Sequence, residues 1–308
     1  MGNFSGKKVA VLHGGQSSER EVSLKTGAAC AEALRSKGYD VALVDVDREV
    51  AARLRQAGAE VVFVALHGRY GEDGCVQGLL ETMGLPYTGS GVLASAAGMD
   101  KVMSKLLFKG LGLDVADYRV FPASRAAGIH GADLPFAFPV VVKPACEGSS
   151  VGVTLVKEAA ALPAACREAA RWKGDVIVER YVKGKEVQVA VLDGKALGVI
   201  EVVPANEFYD YAAKYTAGTT QYFYPARISD GEASRLLLAA ETAHRGLGCA
   251  GVTRTDFILA AEGTAWILEV NTLPGMTASS LVPKIAAGNG LSFADLCERL
   301  LDGAALKA

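Results

Sequence analysis

Two patterns of apolar spacing divide the chain. Up to about residue 96, short unbroken apolar runs alternate with stretches of helical spacing. The pattern predicts a strand over 8–12, a turn at Gly14-Gly15, a helix reaching about Lys37 with Gly38 as its stop, a strand near 41–45, and another over 61–66. The runs at 9–12 and 61–66 are apolar at every position, as strands covered on both faces are, so this unit reads as a parallel α/β sheet. Beyond residue 97 the pattern changes to α+β. Strands at 139–143 and 153–156 flank a small-residue loop, a helix follows over 158–171, and a strand covers 176–181. Residues 187–192 and 196–202 form a hairpin around Asp193-Gly194. The tyrosine-bearing stretch 205–221 lacks periodicity and reads as a functional loop. A helix over 231–245 leads into strands 253–259 and 264–271, joined by Ala260-Ala261-Glu262-Gly263. The expected division is therefore 1–96 and 97–308.

Composition narrows the function classes. With 308 residues, half of them hydrophobic, the chain is long enough to bury a substantial core. Lys and Arg number 32 against 34 acidic residues, a net charge of −2, which argues against a coat for nucleic acid or an anionic membrane and favours small ligands. Six cysteines, at 30, 75, 146, 166, 249 and 297, form no Cys-x-x-Cys pair, so neither a zinc site nor a disulfide framework is indicated, and a reducing cytoplasm fits. The start of the chain lacks a signal-type apolar segment, Gly6 stands where a myristoylation motif needs Ser or Thr, and no apolar run reaches membrane-spanning length.

The final pair of strands carries the most chemistry. A four-residue turn would pair Leu259 with Thr264 and Arg254 with Glu269. Alternation then sends Phe257, Leu259, Trp266, Leu268 and Val270 to a core, and Arg254, Asp256, Glu269 and Asn271 to the opposite face beside Ile258 and Ile267. Two carboxylates and an amide are hard oxygen donors, suited to Mg²⁺ rather than to zinc or copper. The plain alternative is the wet face of an ordinary hairpin. Against it stand the two isoleucines, because buried carboxylates there need a cation or Arg254 as partner. The following segment, 272–280, is rich in backbone N–H and hydroxyl donors that suit an anionic reactant.

A second candidate is the loop Glu147-Gly148-Ser149-Ser150-Val151-Gly152, which can turn backbone N–H groups towards a polyphosphate, with Lys143 just before it as a cation. It is not a Walker A loop, having no Gly-Lys-Ser/Thr and no helix directly after it. Lys101 and Lys214 are further candidate phosphate cations, and Glu19, at a helix start beyond the first strand, is compatible with a simple capping role. The loop 67–74 lies at the carboxyl end of a strand, where open α/β sheets place ligands.

These segments together resemble the ATP-grasp superfamily and, within it, the D-alanine--D-alanine ligases. The resemblance rests on His13-Gly14-Gly15-x-Ser17-x-Glu19-Arg20-Glu21-Val22-Ser23, Leu66-His67-Gly68, Tyr87-Thr88-Gly89-Ser90-Gly91, Met99-Asp100-Lys101, Lys143-Pro144 with the 147–152 loop, Phe208-Tyr209-Asp210-Tyr211 with Lys214-Tyr215, Arg254-x-Asp256, and Glu269-Val270-Asn271 through Ser280-Leu281-Val282-Pro283. It implies a Rossmann-like α/β unit over 1–96, then an ATP-grasp fold with a nucleotide-clamping part at 97–184 and a metal- and substrate-binding part at 185–308. The implied chemistry is phosphorylation of one D-alanine carboxylate by ATP and attack by the amine of a second D-alanine.

By the same resemblance, Asp256, Glu269 and Asn271 hold two Mg²⁺ or Mn²⁺ ions, and Arg254 and the Gly275 N–H stabilise the tetrahedral intermediate. Glu19 pairs with the first ammonium in a triad with Ser149 and Tyr215. His67 supports the first substrate, while Ser280 and the Leu281 N–H take the second carboxylate. Glu179, Tyr181 and Val182 meet adenine, Glu186 the ribose, and Lys101, Lys143, Ser149, Ser150 and Lys214 the phosphates. Tyr215 implies amide rather than ester formation. The resemblance also implies a cytoplasmic homodimer, with another carboxylate-amine or D-alanine--D-lactate ligase as the alternative. Cys146 departs from the basic or polar residue that many relatives carry there.

Overall fold

The computed structural model describes residues 2–172, 174–204, 220–277 and 280–307. The first apolar runs form a parallel sheet of order β2–β1–β3 from β1 (Lys8–His13), β2 (Asp40–Asp45) and β3 (Val61–Val64), in which Val9 is partnered by Val41 on one side and Val61 on the other. Its central strand is apolar from Val9 to Leu12 because its two faces feed two cores. Val9 and Val11 pack with Cys30 and Leu34 of α1 (Arg20–Ser36), whereas Ala10 and Leu12 pack with Leu54 of α2 (Val50–Gln56) and Leu80 of α3 (Cys75–Met83). Helix α1 stops as expected, with Gly38 at φ +87, a left-handed conformation that costs a residue without Cβ little.

Helices α4 (Val92–Met99) and α5 (Lys101–Gly110) lead into a four-stranded antiparallel sheet of order β4–β7–β5–β6, made of β4 (Tyr118–Phe121), β5 (Val140–Pro144), β6 (Thr154–Val156) and β7 (Val176–Arg180). The expected hairpin around the small-residue loop is present, with Val142 opposite Thr154. The helix expected over 158–171 is shorter, a 3₁₀ turn at Ala159–Ala161 followed by α6 (Leu162–Ala169).

A five-stranded antiparallel sheet follows, of order β10–β9–β8–β11–β12, from β8 (Gly184–Leu192), β9 (Lys195–Pro204), β10 (Thr220–Phe223), β11 (Val252–Ala260) and β12 (Ala265–Asn271). Helix α7 (Asp230–Gly246) begins at Ser229, whose hydroxyl accepts from the Glu232 N–H while the Glu232 carboxylate returns to the Ser229 N–H, a reciprocal cap worth about 1 kcal/mol. Its Leu236, Ala240 and Ala243 cover Val187, Val189, Phe257 and Leu259 on one face of the sheet. At one end of the other face, α8 (Leu281–Gly288) and α9 (Phe293–Asp302) join Ala190, Ile200 and Val202 to the first core.

The last hairpin corrects the expected register. Leu259 pairs with Ala265 rather than Thr264, and Arg254 pairs with Asn271 rather than Glu269. The connection keeps four residues but is shifted by one, to 261–264, and a β-bulge lies between the pairs Asp256–Glu269 and Phe257–Ile267, leaving Leu268 as the extra residue. The bulge shifts the alternation of β12. Ile267, expected on the polar face, is buried in the core with Val270, while Trp266 and Leu268, expected in the core, are not part of it, and Leu268 lines the cleft beside Glu269. Without the extra residue, the side chain that shares a face with Ile267 would be Glu269.

Candidate active site

A cleft of about 450 Å³ opens between the two antiparallel sheets. Ten residues singled out from the sequence line it: Lys101, Lys143, Ser150, Glu179, Tyr181, Val182, Glu186, Asp256, Glu269 and the loop residue Glu147. Glu19, His67, Ser149, Arg254, Asn271, Gly275, Ser280 and Leu281 are not among its lining residues, but several of them are bonded to groups at its edge. Lys214 and Tyr215 lie outside the described residues.

The floor is the bulged hairpin. Arg254 grips Asp256 through two parallel bonds of 2.7 and 2.8 Å, and the Asn271 amide lies 3.4 Å from the same carboxylate. Such fork geometry is among the stronger charge-assisted arrangements. Glu269 has its own cation, Lys101, at 3.4 Å. Lys101 opens α5, whose N-terminus Asp100 caps by accepting from Val102 and Met103 N–H at 2.8 and 3.0 Å. The Lys101 ammonium also donates to the Glu147 carbonyl, so one side chain ties the phosphate-type loop to the hairpin.

That loop is held in an unusual backbone form. Ser149 and Ser150 have φ of +51 and +59, which costs non-glycine residues of order 1–3 kcal/mol each and persists only where surroundings enforce it. Part of the enforcement is visible. The Ser149 hydroxyl donates to the buried Glu19 carboxylate, and Gly152 sits so close to the Trp172 ring that an added Cβ would come within 2.8 Å. Glu19 makes no capping bond to α1. The simple-cap alternative therefore fails, since the carboxylate turns to the loop instead. Cys146 points its thiol at the Asp100 carboxylate, 3.9 Å away, linking the loop base to the start of α5.

The rim from the parallel sheet contains His67, buried, with Nε2 at 2.9 Å from the Thr26 hydroxyl. Burial lowers its pKa and outweighs the opposing pull of Glu19, so the ring is neutral near pH 7. Glu72, which the sequence reading passed over within its 67–74 loop, accepts the Gly68 N–H at 2.6 Å. Burial first, then the nearby Glu19 charge, raise its carboxyl to about 8. On the far side, Ser280 stands at the N-cap position of α8 without a side-chain capping bond to it; its hydroxyl accepts from the preceding Thr277 N–H at 3.0 Å, and Gly275 packs so closely on it that a Cβ would come within 2.9 Å.

The inner wall holds a second unanticipated residue. Glu179 on β7 is contacted by two ammonium groups, Lys143 from the adjacent strand and Lys105 from α5 at 2.6 Å. Burial alone would raise the Glu179 pKa, but the two cations bring it down to about 2. The available signal was spacing: Lys105 lies four residues after Lys101, on the same helix face. Further along the cleft, Glu201 pairs with Arg227 through two bonds of 2.9 Å, also unforeseen.

Among the described residues no three His, Cys, Asp or Glu side chains cluster as a metal cage. The anticipated donor set is of a different kind, two carboxylates and an amide, and both carboxylates already have cationic partners.

The chain is similar to known proteins over nearly its whole length. Residues 107–302 match the family model described as the D-ala D-ala ligase C-terminus, and 49–90 match the corresponding N-terminus model. Over all 308 residues the chain is 74% identical to a D-alanine--D-alanine ligase of Anaeromyxobacter sp. (strain Fw109-5), covering 100% of both. It is 54% identical over 301 residues to one from Geotalea uraniireducens (strain Rf4), covering 98% of this chain and 96% of that protein. Among solved structures, a Bacillus anthracis D-alanine--D-alanine ligase superposes with a TM-score of 0.86 at 33% identity, over 96% of this chain and 97% of that one. The VanG D-Ala:D-Ser ligase of Enterococcus faecalis superposes with 0.83 at 32% identity, over 96% and 98%. A match of this extent, on a structure with two antiparallel sheets facing across a charged cleft, places the chain in the D-alanine--D-alanine ligase family.

Proposed function

We infer that the chain is an ATP-dependent D-alanine--D-alanine ligase, which activates one D-alanine as its acyl phosphate and joins it to a second for peptidoglycan precursor synthesis. The observation that best supports it is the meeting of Lys101, Arg254, Asp256 and Glu269 at one end of a cleft whose other walls carry Lys143, Glu179 and Glu186. In this reading Lys101 and Lys143 hold the phosphates, with the 147–152 backbone over them, and Glu179, Tyr181, Val182 and Glu186 receive the nucleoside. Ser149 orients Glu19 towards the ammonium of the first D-alanine. Arg254 and the Gly275 N–H face the oxyanion, and Ser280 with the Leu281 N–H fixes the second carboxylate. Lys214 and Tyr215 complete the set by resemblance.

Mg²⁺ or Mn²⁺ ions on Asp256, Glu269 and Asn271 would neutralise charge on the phosphates during transfer. The donor set fits hard cations. Its carboxylates are each offset by Arg254 or Lys101, so the surplus negative charge that attracts a divalent ion comes from the nucleotide.

The division at 1–96, 97–184 and 185–308 assigns first substrate, nucleotide clamp and metal site in turn. Among the described residues no helix is long and apolar enough to cross a membrane, and we place the enzyme in the cytoplasm with its small substrates. A homodimer is what the resemblance to the ligase family implies; Leu93, Met103 and Leu106 on α4 and α5 are exposed apolar side chains. The D-Ala:D-Ser relative has the same fold, so the fold leaves the second substrate open, while the 74% and 54% identities to D-alanine--D-alanine ligases favour D-alanine. The test is phosphate release with ATP and D-alanine, and product analysis with D-alanine, D-serine and D-lactate offered together. Phosphate release that does not require D-alanine, or D-alanyl-D-serine or a depsipeptide as main product, overturns the reading.

A further inference from the structure

Lys105 is fully buried, with none of its side chain exposed, and it does not line the cleft. Its ammonium is enclosed between the Glu179 carboxylate, 2.6 Å away, and the face of the Tyr118 ring, 5.5 Å from the centroid. Tyr118 is the cross-strand neighbour of Glu179. Glu179 is itself 3% exposed and does line the cleft. Its Oε1 accepts from Lys105, while its Oε2 lies against the Lys143 ammonium without a hydrogen bond of good geometry. The two lysines therefore differ in freedom. Lys143 reaches the cleft and can turn to a phosphate; Lys105 has nowhere else to go.

A buried carboxylate abandoned by its only cation takes up a proton or breaks the local structure. If Lys143 were the sole partner, nucleotide binding would leave Glu179 in that condition. A protonated Glu179 offers an O–H, and an ionised one only accepts. Which of these faces the ligand decides whether an amino group or an oxo group of a purine is welcome.

We propose that Lys105 is a positioning residue that keeps Glu179 an ionised, fixed acceptor for the purine amino group while Lys143 serves the phosphates. This rests on the reading that the cleft takes ATP. The groups facing Glu179 are Lys105 from α5, Lys143 from β5 and Tyr118 from β4, with Lys101 a helical turn from Lys105.

The test uses the full-length enzyme and the ratio of KM for ATP in Lys105→Met to that in the parent, measured from pH 5.5 to 8.5 at saturating D-alanine. The parent's Glu179 stays ionised across that range, so it contributes no trend. In the variant the carboxyl titrates within the range, and the ratio should rise as pH falls, by up to about tenfold per unit below its new pKa. Near pH 8.5 the ratio should approach one, with kcat and the KM for D-alanine within about twofold throughout. The ATP-over-GTP preference should narrow on the acid side, and Lys105→Arg should restore parental values. A ratio near one at every pH, or a raised ratio with no pH trend, overturns the proposal.

Should Lys105→Met not fold, Lys105→Gln carries the same expectations. Glu179→Gln tests the idea without touching Lys105: it should raise KM for ATP with no pH trend, and an unchanged KM overturns the proposal. A parent that neither binds ATP in calorimetry nor releases phosphate sinks the ATP reading and this proposal with it. An active parent with a flat ratio sinks this proposal alone.

Discussion

The acidic side chains in the inner wall and on the floor of the cleft are neutralised in opposite ways. Glu179 in the inner wall has one cation sealed behind it, Lys105, and one at the cleft, Lys143. Asp256 and Glu269 on the floor are matched by Arg254 and Lys101, with 17% of the Arg254 side chain and 23% of Glu269 still accessible. Compensation in the wall is permanent, whereas on the floor it can be exchanged. A group that recognises a constant feature of a ligand gains from a fixed partner. A group that meets charge appearing and leaving during a reaction needs partners it can trade. The hairpin bulge serves the second purpose, since it turns Glu269 away from the core and towards Lys101 and the cleft.

The comparison breaks hardest at the floor. Glu269→Ala should lower turnover about 10³-fold or more, since the ion it is proposed to hold supplies several kcal/mol to the transition state; coupled-assay phosphate release reads this, and retained turnover removes the floor's proposed role. In the wall, Lys105→Met should cost about 3 kcal/mol of stability by urea unfolding, the expected order for stripping one partner from a buried pair. A loss below 1 kcal/mol would mean Lys143 alone suffices and the wall is exchangeable too. Glu19→Gln weakens a charged contact proposed for the first ammonium, worth about 1.5–3 kcal/mol, so KM for D-alanine should rise roughly tenfold to a hundredfold with KM for ATP little changed.

Glu72 gives a pH test near the floor. Its folded pKa, raised to about 8, lies above the ordinary carboxyl value, so the folded state binds more protons in between and this contribution to stability declines as pH rises. Glu72→Gln should remove about 1 kcal/mol of that decline between pH 7 and 8, seen as a flatter stability profile. At the bottom of the scale stands an exposed pair, Lys7 and Glu60 at 2.8 Å. Lys7→Ala should leave stability by urea unfolding unchanged within measurement error. A larger effect would blur the distinction between sealed and solvated charge.

Local pattern made some of this readable in advance. The unbroken apolar run of β1 signalled a strand covered on both faces, and Gly38 marked the end of α1, because burial on two sides and a left-handed stop each impose their requirement on single residues. The polar set on the last hairpin was legible for the same reason. Its register was not: the bulge at Leu268 depends on how β11 and β12 pack over Phe257 and Ile267, and alternation carries no trace of an extra residue. Lys105 and Glu72 escaped notice because most lysines and glutamates are solvated, and nothing within a few residues reports that a partner 74 positions away closes over one of them.

What the sequence determined by itself was the inventory: parallel sheet first, antiparallel hairpins after, and the residue types that phosphates, carboxylates and hard cations require. Tertiary structure alone decided which charges are partners and which of them can leave. Pairing energy depends on burial and distance across separate elements, and those are properties of the packed molecule rather than of any stretch of chain.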